Sequence, residues 1–169
     1  MNAADLLATE LARELLSARL IAKLATFRPD GTVHLVPMWF IWEDGVLLMP
    51  TSGESRKARN AADDPRAAVM VDDSRGGLDV RGMTLNGRIE IVRGAEAEPI
   101  IRRTHLKYLG ERGLGLAPVR EALGSDDVAL QFLPERGSSW DLGSLPVSRL
   151  VLDEGAFEPL TPVHRREDR

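Results

Sequence analysis

Thr51-Ser52-Gly53-Glu54-Ser55-Arg56-Lys57 lies where an apolar strand pattern ends and a short polar helix pattern begins. At a helix start, unpaired backbone N–H groups and the helix dipole favour an anion. Arg56 is suited to hold phosphate oxygens with two hydrogen bonds, and Lys57 adds a point charge. Because basic residues in a first turn oppose the dipole, they cost stability unless an anion binds. The stretch therefore predicts a phosphate site, with a merely solvated basic surface as the alternative.

The strand pattern before this turn is apolar on both faces. Val33, Leu35, Trp39 and Ile41 share one face of the predicted strand Thr32 to Trp42, and Val36, Met38, Phe40 and Trp42 share the other. A strand buried on both sides needs a barrel interior on one face and a helix or second subunit on the other. Pro37 lacks a ladder donor, so it marks either a backbone edge on which a planar ring lies or a simple edge or bulge.

Periodicity and turn residues place the remaining elements. We expect an amphipathic helix over 3–18, strands over 19–27, 46–51, 66–72, 78–92, 128–133 and 138–142, and helices over 54–63, 96–109 and 118–123. Turns are expected at 28–31, at 43–45 and at Gly76-Gly77, and Gly110 is expected to end its helix. Gly82 and Gly87 lie inside a strand pattern, which is typical of a bulge, a barrel corner or close backbone approach.

Many short strands and few helices favour a mainly β fold with flanking helices, a small closed or split β-barrel, over a parallel βαβ sheet. About six strands do not bury both of their faces within one such chain, which predicts a homodimer. Residues 1–145 are expected to form a single barrel domain with an N-terminal helix. Residues 146–169 are expected to be a C-terminal extension with a flexible end.

Composition excludes several classes of function. The 169 residues carry a net charge of −4 and no cysteine, which excludes disulfides, thiolate zinc sites and a cysteine nucleophile. The three histidines lie far apart in the sequence, so no metal site is expected. No apolar run approaches the ~20 residues that span a bilayer, and acidic residues interrupt the N-terminal leucines. We therefore expect a cytoplasmic protein that binds neither membranes nor nucleic acid.

The motifs Thr51, Ser55-Arg56-Lys57 and Asp64-Pro65 together resemble the pattern of pyridoxamine 5′-phosphate oxidases and their relatives, over about 19–142. The resemblance implies that the threonine, arginine and lysine hold the phosphate and ribityl chain of FMN, and that the preceding strand lines the flavin ring. The cofactor-binding residues expected on this basis are Leu35, Val36, Pro37, Met38, Trp39, Thr51, Ser55, Arg56, Lys57, Arg81 and Trp140.

Two of these residues have alternative interpretations. Arg81 either meets the polar edge of the cofactor or is an ordinary exposed strand arginine. Trp140 either covers the cofactor from the second subunit, as in relatives, or anchors the core. Stretches 107–110 and 134–141 resemble the branch of the family that includes reductases dependent on the deazaflavin coenzyme F420.

The substrate end departs from the pattern of oxidases that act on vitamin B6. Phe40 stands where they have a substrate-contacting lysine, and Gly82 stands where they have a glutamine beside the ring. We therefore expect a flavin- or deazaflavin-dependent oxidoreductase that is not a true pyridoxamine 5′-phosphate oxidase. Its cofactor is FMN or coenzyme F420, its substrate is a small molecule, and no catalytic side chain is assigned. The alternatives are a non-catalytic flavin-, haem- or bilin-binding or storage protein and a cofactor-free structural dimer.

Overall fold

A computed structural model of the chain describes residues 1–76, 78–122 and 126–156. Over these ranges the fold is an antiparallel seven-stranded sheet with flanking helices, so the mainly β class is confirmed. The strands are β1 (Ala22–Phe27), β2 (Val33–Met38), β3 (Ile41–Glu43), β4 (Val46–Ser52), β5 (Arg66–Gly76), β6 (Asp79–Val92) and β7 (Asp127–Asp141). The helices are α1 (Ala3–Leu7), α2 (Glu10–Ser17), α3 (Arg56–Asp63), α4 (Ala97–Leu114), α5 (Ala117–Ala122) and α6 (Pro146–Asp153), with a 3₁₀ turn at Gly94–Glu96.

The predicted strand over 32–42 is wrong in one respect, because it is two strands at opposite ends of the sheet. The strand order is β2-β1-β5-β6-β7-β4-β3, so β2 pairs with β1 and β3 pairs with β4. Only Trp39 and Phe40 join the two edges, which limits Met38 and Ile41 to about 11 Å between their Cα atoms. The sheet must therefore curve strongly. The apolar alternation continues across the break, which is why periodicity alone does not reveal the change of partner.

The two faces of β2 are buried very differently. Met38 and Phe40 lie in the core at 5% and 0% exposure, whereas Val33 and Leu35 are 53% and 64% exposed. Within the described part of one chain this second face is open, so its cover by a second subunit stays a prediction. The curved sheet covers one face, and the other presents apolar side chains outward.

The helical predictions differ from the structure at two points. Thr9 divides the expected helix over 3–18, because its hydroxyl donates to the carbonyl of Leu6 (2.7 Å) and accepts from the N–H of Ala12 (3.2 Å). The Thr9 side chain thus bonds to the last turn of α1 and caps the start of α2. Gly110, at φ 67°, kinks α4, which then continues to Leu114. No helix in the described ranges combines the length and the apolarity needed to cross a membrane.

The strands predicted over 128–133 and 138–142 are one long strand, β7. Its register with β6 shifts between Asn86 and Gly87, so that Glu135 is an extra residue, a β-bulge. A β-carbon at Gly87 would stand 2.0 Å from the carbonyl oxygen of Leu133, so the backbones approach too closely for any other residue. The close approach expected at this glycine is confirmed. Gly77, of the expected Gly76-Gly77 turn, and residues 157–169 of the C-terminal extension lie outside the described ranges.

Two apolar cores hold the helices to the sheet. The larger core fills the concave side of the sheet and includes Leu24, Phe40, Met49, Met83, Leu85 and Phe132. The smaller core lies between α4 and the strands β3, β4 and β7. Its buried members are Ile41, Leu48, Ala97, Ile100, Ile101 and Ala129. Because α4 packs on this second core, its C-terminal half reaches the end of β4, beside the turn that leads into α3.

Candidate cofactor site

The turn from β4 to α3 has the form that the sequence predicts. Ser55 caps α3, since its hydroxyl accepts a hydrogen bond from the N–H of Ala58 (3.3 Å). Thr51, near the end of β4, donates its own hydroxyl to Ser55 Oγ (3.2 Å). The structure thus brings together two of the residues expected to contact the cofactor. Their hydroxyls lie at the start of a helix, where the backbone N–H groups of the first turn also point.

Gly53 anchors this turn, a role that the sequence analysis missed. Its N–H donates to the carbonyl of Asp126 (2.9 Å), at the start of β7. A β-carbon at Gly53 would stand 2.8 Å from that same oxygen. The glycine therefore allows the turn to lie directly against the next strand. A glycine within a polar turn is the only local signal of this contact, and it is a weak one.

Arg56 and Lys57 lie in the first turn of α3. Arg56 is exposed and Lys57 is half-buried, and burial lowers the pKa of Lys57. Among the ion pairs between described residues, none includes either side chain. Two cations without carboxylate partners thus stand in the first turn of a helix, where they oppose its dipole. A bound anion would relieve that repulsion.

His34 adds a titratable group to the same place. It lies on β2 opposite Thr26, whose hydroxyl accepts a hydrogen bond from Asn60 of α3 (3.1 Å). Lys57 precedes Asn60 by three residues and so lies on the same face of α3. His34 therefore faces the start of the helix.

Arg28 completes this group, with Nη2 at 3.4 Å from Nδ1 of His34. Burial chiefly, and then the charges of Arg28, Lys57 and Arg56, lower the pKa of His34. We call Arg28, His34, Arg56 and Lys57 the cationic cluster. Arg28 and His34 were not predicted from the sequence, because pairing between β1 and β2 brings them to α3. The sequence did contain one sign of this position, because His34, Val36 and Met38 fall on the same, inward face of β2.

The residues expected to line a flavin ring separate into two sets. Leu35 and Pro37 face outward on β2, whereas Val36 and Met38 face the core. Trp39 follows the strand and stacks on Tyr108 of α4, with ring centroids 4.9 Å apart and planes 3° from parallel. It shares a cleft of about 410 Å³ with Thr51 and Ser52 at the end of β4.

Arg81 lies in an ion-pair network at some distance from this turn. Its guanidinium contacts the carboxylate of Glu14 in α2 at 2.7 Å and that of Asp73 in β5 at 3.4 Å. Burial lowers the pKa of Arg81, but the hydrogen bonds and charges of Glu14 and Asp73 together outweigh burial, so the pKa is raised. Within one chain Arg81 therefore has structural partners of its own.

Trp140 lies at the far end of β7 from the turn. Thr51 pairs with Val128 near the start of β7, and Trp140 comes twelve residues later. At about 3.3 Å per residue, roughly 40 Å of curved strand separates the two positions. Measured along β7, Trp140 thus lies far from the turn at Thr51. Its role in cofactor binding stays a prediction that requires a second subunit.

The sequence profile of the pyridoxamine 5′-phosphate oxidase family matches residues 8–141. This chain belongs to the pyridoxamine 5′-phosphate oxidase family. Among solved structures, an F420 reductase is similar at 28% identity and a TM-score of 0.61, over 75% of this chain and 94% of that one. A conserved hypothetical protein of Mycobacterium tuberculosis, Rv2991, is similar at 27% identity and a TM-score of 0.67, over 93% of this chain and 91% of that one.

The fold extends further across the pyridoxamine 5′-phosphate oxidase family and its relatives. HutZ, described as the haem storage protein of Vibrio cholerae, shares it at 19% identity and a TM-score of 0.60, over 78% of this chain and 92% of that one. At that identity the likeness concerns the fold alone. No curated protein matches the sequence.

Proposed function

We propose that this protein is an oxidoreductase that binds the phosphate of a flavin or deazaflavin at the cationic cluster. The observation that carries the proposal is the pair Arg56 and Lys57, two cations without carboxylate partners among the described residues, at the start of α3. The chain has a net charge of −4, so this concentration of positive charge is local. FMN and coenzyme F420 both carry a phosphate that suits it. The F420 reductase among the similar structures supports this cofactor class.

The donors at this turn suit a phosphate dianion. Arg56 offers a planar fork of N–H groups and Lys57 an ammonium, while the hydroxyls of Thr51 and Ser55 lie between β4 and α3. The N–H groups of a first helical turn have no acceptor within the helix. Hydrogen bonds to a charged group contribute about 1.5–3 kcal/mol each, so several together anchor a cofactor.

The bound cofactor would supply the hydride chemistry, and the chain's residues would bind and orient the ring. The outward face of β2 gives the ring an apolar surface at Leu35 and Pro37, and Pro37 places no N–H there. Trp39 at the end of this strand is held in place by its stack on Tyr108. No side chain acting as acid or base is needed for a hydride transfer to the ring.

A homodimer is part of this proposal. Val33 and Leu35 are more than half exposed in the single chain, and Ala25 and Ala68 continue the same outward face across β1 and β5. Apolar side chains in such a row favour a covering surface. In such a dimer, the partner's Trp140 is expected to cover the cofactor, as the family resemblance implies.

Two features support a substrate other than pyridoxamine 5′-phosphate. Phe40 is fully buried, so the position where the B6 oxidases have a lysine contributes no charge to a substrate. Trp140 occupies the space over Gly82, where those enzymes have a glutamine beside the ring. In this proposal the chain keeps the phosphate site of the family and differs from the B6 oxidases at the substrate end.

The test compares Arg56→Ala/Lys57→Ala with Arg59→Ala, an exposed cation one turn further along α3. We expect the double variant to weaken FMN or F420 binding by about 100-fold or more, since at least ~3 kcal/mol of charged hydrogen bonding is lost. Arg59→Ala should bind normally. Fluorescence quenching of each cofactor measures the affinities, and unchanged affinity in the double variant would refute the assignment.

Turnover separates the enzyme from its main alternative, a protein that stores or senses the ligand. A bound cofactor that exchanges hydride with an added donor or acceptor, followed by absorbance, supports an oxidoreductase. Tight binding without exchange across a panel of donors and acceptors would favour a storage protein. Preferential binding of haem over FMN and F420 would further support a storage protein.

A further inference from the structure

The kink in α4 leaves a cleft that the packing of this helix does not fill. Up to Ile101 the helix covers the smaller core on β3, β4 and β7, and at Gly110 the chain turns away. Between the end of α4, the start of α5 and the end of β4 lies the cleft of about 410 Å³ that includes Trp39 and Thr51. Its size is within the range of small-molecule sites.

One wall of the cleft is apolar and rigid. Trp39, Leu109 and Val119 contribute this wall. The indole of Trp39 is stacked on Tyr108, and the Tyr108 hydroxyl is bonded to the carbonyl of Leu20 and to the N–H of Phe40. A surface fixed in this way loses little entropy when a ligand binds. It suits a flat, apolar ring system.

The polar side of the cleft presents hydrogen-bond acceptors. His105 lines it, and Nδ1 of His105 is 2.7 Å from the carbonyl of Ile101. Since a carbonyl only accepts, Nδ1 carries a hydrogen, and in the neutral imidazole Nε2 is then the acceptor. No described residue bonds to Nε2, and no buried side-chain nitrogen or oxygen of the described residues lacks a partner. Nε2 is therefore open to a molecule that enters.

Charge distinguishes this cleft from the neighbouring cationic cluster. Asp127 is the ionisable carboxylate of the lining, and Ser52 lies opposite it in the register of β4 and β7. A carboxylate and an imidazole acceptor favour a ligand that donates hydrogen bonds and disfavour an anionic one. The anionic cofactor and the ligand of this cleft thus have separate and complementary places.

We propose that this cleft binds the substrate, and that the substrate is a neutral or cationic aromatic molecule with an O–H or N–H donor directed to Nε2 of His105. This inference rests on the proposed function, because a substrate requires the proposed cofactor, and Trp39 and Thr51 lie at the border between the cleft and the proposed cofactor site. A ligand in the cleft would lie beside the cofactor. His105 here binds and orients the substrate.

The experiment uses the full chain without cofactor and two probes of matched shape, 2-naphthol and 2-methoxynaphthalene. The first donates a hydrogen bond and the second does not. We expect 2-naphthol to bind more tightly than 2-methoxynaphthalene. The fluorescence of the naphthol measures its binding. His105→Phe should weaken 2-naphthol about 2- to 10-fold, the value of one hydrogen bond, and leave 2-methoxynaphthalene unchanged.

Two further variants test the location. Val119→Trp, which fills the cleft, should reduce the affinity for both probes at least about 10-fold and leave FMN binding intact. Arg102→Ala, an exposed α4 position outside the cleft, should change neither. Equal affinity for the two probes in the unaltered protein, unchanged binding in Val119→Trp, or competition between FMN and 2-naphthol would overturn the proposal.

The two proposals fail separately. Arg56→Ala/Lys57→Ala should bind 2-naphthol as the unaltered protein does, because the cationic cluster is not part of the cleft. If the naphthol results hold and neither FMN nor F420 binds, the proposed oxidoreductase fails, and the assignment of the ligand as its substrate fails with it. If the cofactors bind and the naphthols do not, only the cleft assignment fails.

Discussion

Trp140 lies directly over Gly82 of the neighbouring strand. A β-carbon at Gly82 would stand 2.6 Å from Cζ2 of the indole and 2.8 Å from Cβ of Asp72. The two residues are paired in the register of β6 and β7. Because Gly82 has no side chain, the Trp140 ring fits directly against the backbone at this position. Any side chain there displaces the indole.

Gly82→Ala should lower the free energy of unfolding by about 1–3 kcal/mol, the usual cost of overpacking, and should shift the fluorescence of Trp140. Urea denaturation measures the first effect and emission spectra the second. Gly115→Ala is the matched control, since its β-carbon would meet atoms no closer than 3.4 Å at an ordinary φ of −70°. Equal losses in the two variants would contradict the steric explanation.

The contact between Thr26 and Asn60 holds α3, and with it Arg56 and Lys57, against β1. Both residues are buried, at 0% and 2% exposure, and the Asn60 amide donates to the Thr26 hydroxyl at 3.1 Å. Thr26→Val should cost about 1–3 kcal/mol, because it leaves a buried amide without its acceptor. Urea denaturation of this variant measures the loss.

A double-mutant cycle tests the coupling in the same pair. Thr26→Val/Asn60→Leu should lose less stability than the sum of the two single variants, because the double variant leaves neither group unpaired. Arg59→Ala, exposed on the same helix, should lose almost none. Strictly additive losses would show that the hydrogen bond does not couple α3 to the sheet.

Affinity for FMN should rise as the pH falls from about 8 to about 6.5, above the second pKa of a phosphate monoester at about 6. Burial first, and then Arg28, Lys57 and Arg56, lower the pKa of His34 below 6.5 in the free protein. A bound phosphate offsets those cations and raises the pKa of His34. The complex therefore binds more protons than the free protein, and lower pH favours it. Titrations across this range measure the slope.

His34→Gln is the control for this pH dependence. Glutamine keeps a polar side chain on β2 and does not titrate, so the slope between pH 8 and 6.5 should flatten. An unchanged slope would assign the proton uptake to another group. His105→Phe is a second control. His105 lies on α4 outside the cationic cluster, so its replacement should leave the pH dependence of FMN affinity unchanged.

Features set by neighbouring residues were predictable from the sequence. The Asp44-Gly45 hairpin appears with φ of 49° and 83°, as a two-residue turn between β3 and β4 requires. The turn into α3 follows from Ser55, whose hydroxyl accepts a hydrogen bond from the N–H of Ala58, three residues along the chain. Such contacts depend on residues within about one turn of each other, so composition and spacing record them directly.

Contacts between distant residues were not predictable in the same way. The pairing of β2 and β3 with opposite edges of the sheet separates residues 38 and 41 into different neighbourhoods, although the apolar pattern continues unbroken between them. His34 and Arg28 join Lys57 only because β2 pairs with β1 and α3 packs beside both. A strand pattern records which face is apolar and contains no record of its partner.

The amino-acid sequence by itself determined the mainly β class, the capped helix after β4 and the cationic pair at the start of that helix. These features depend on local backbone preferences and on charged residues that are adjacent in the sequence. Tertiary structure alone decided which further groups surround that pair and where Trp39, Trp140 and His105 lie. Those positions follow from the curvature of the sheet, the bulge at Glu135 and the kink at Gly110. Each of these redirects the chain by a local change of backbone whose consequences appear only where distant segments meet.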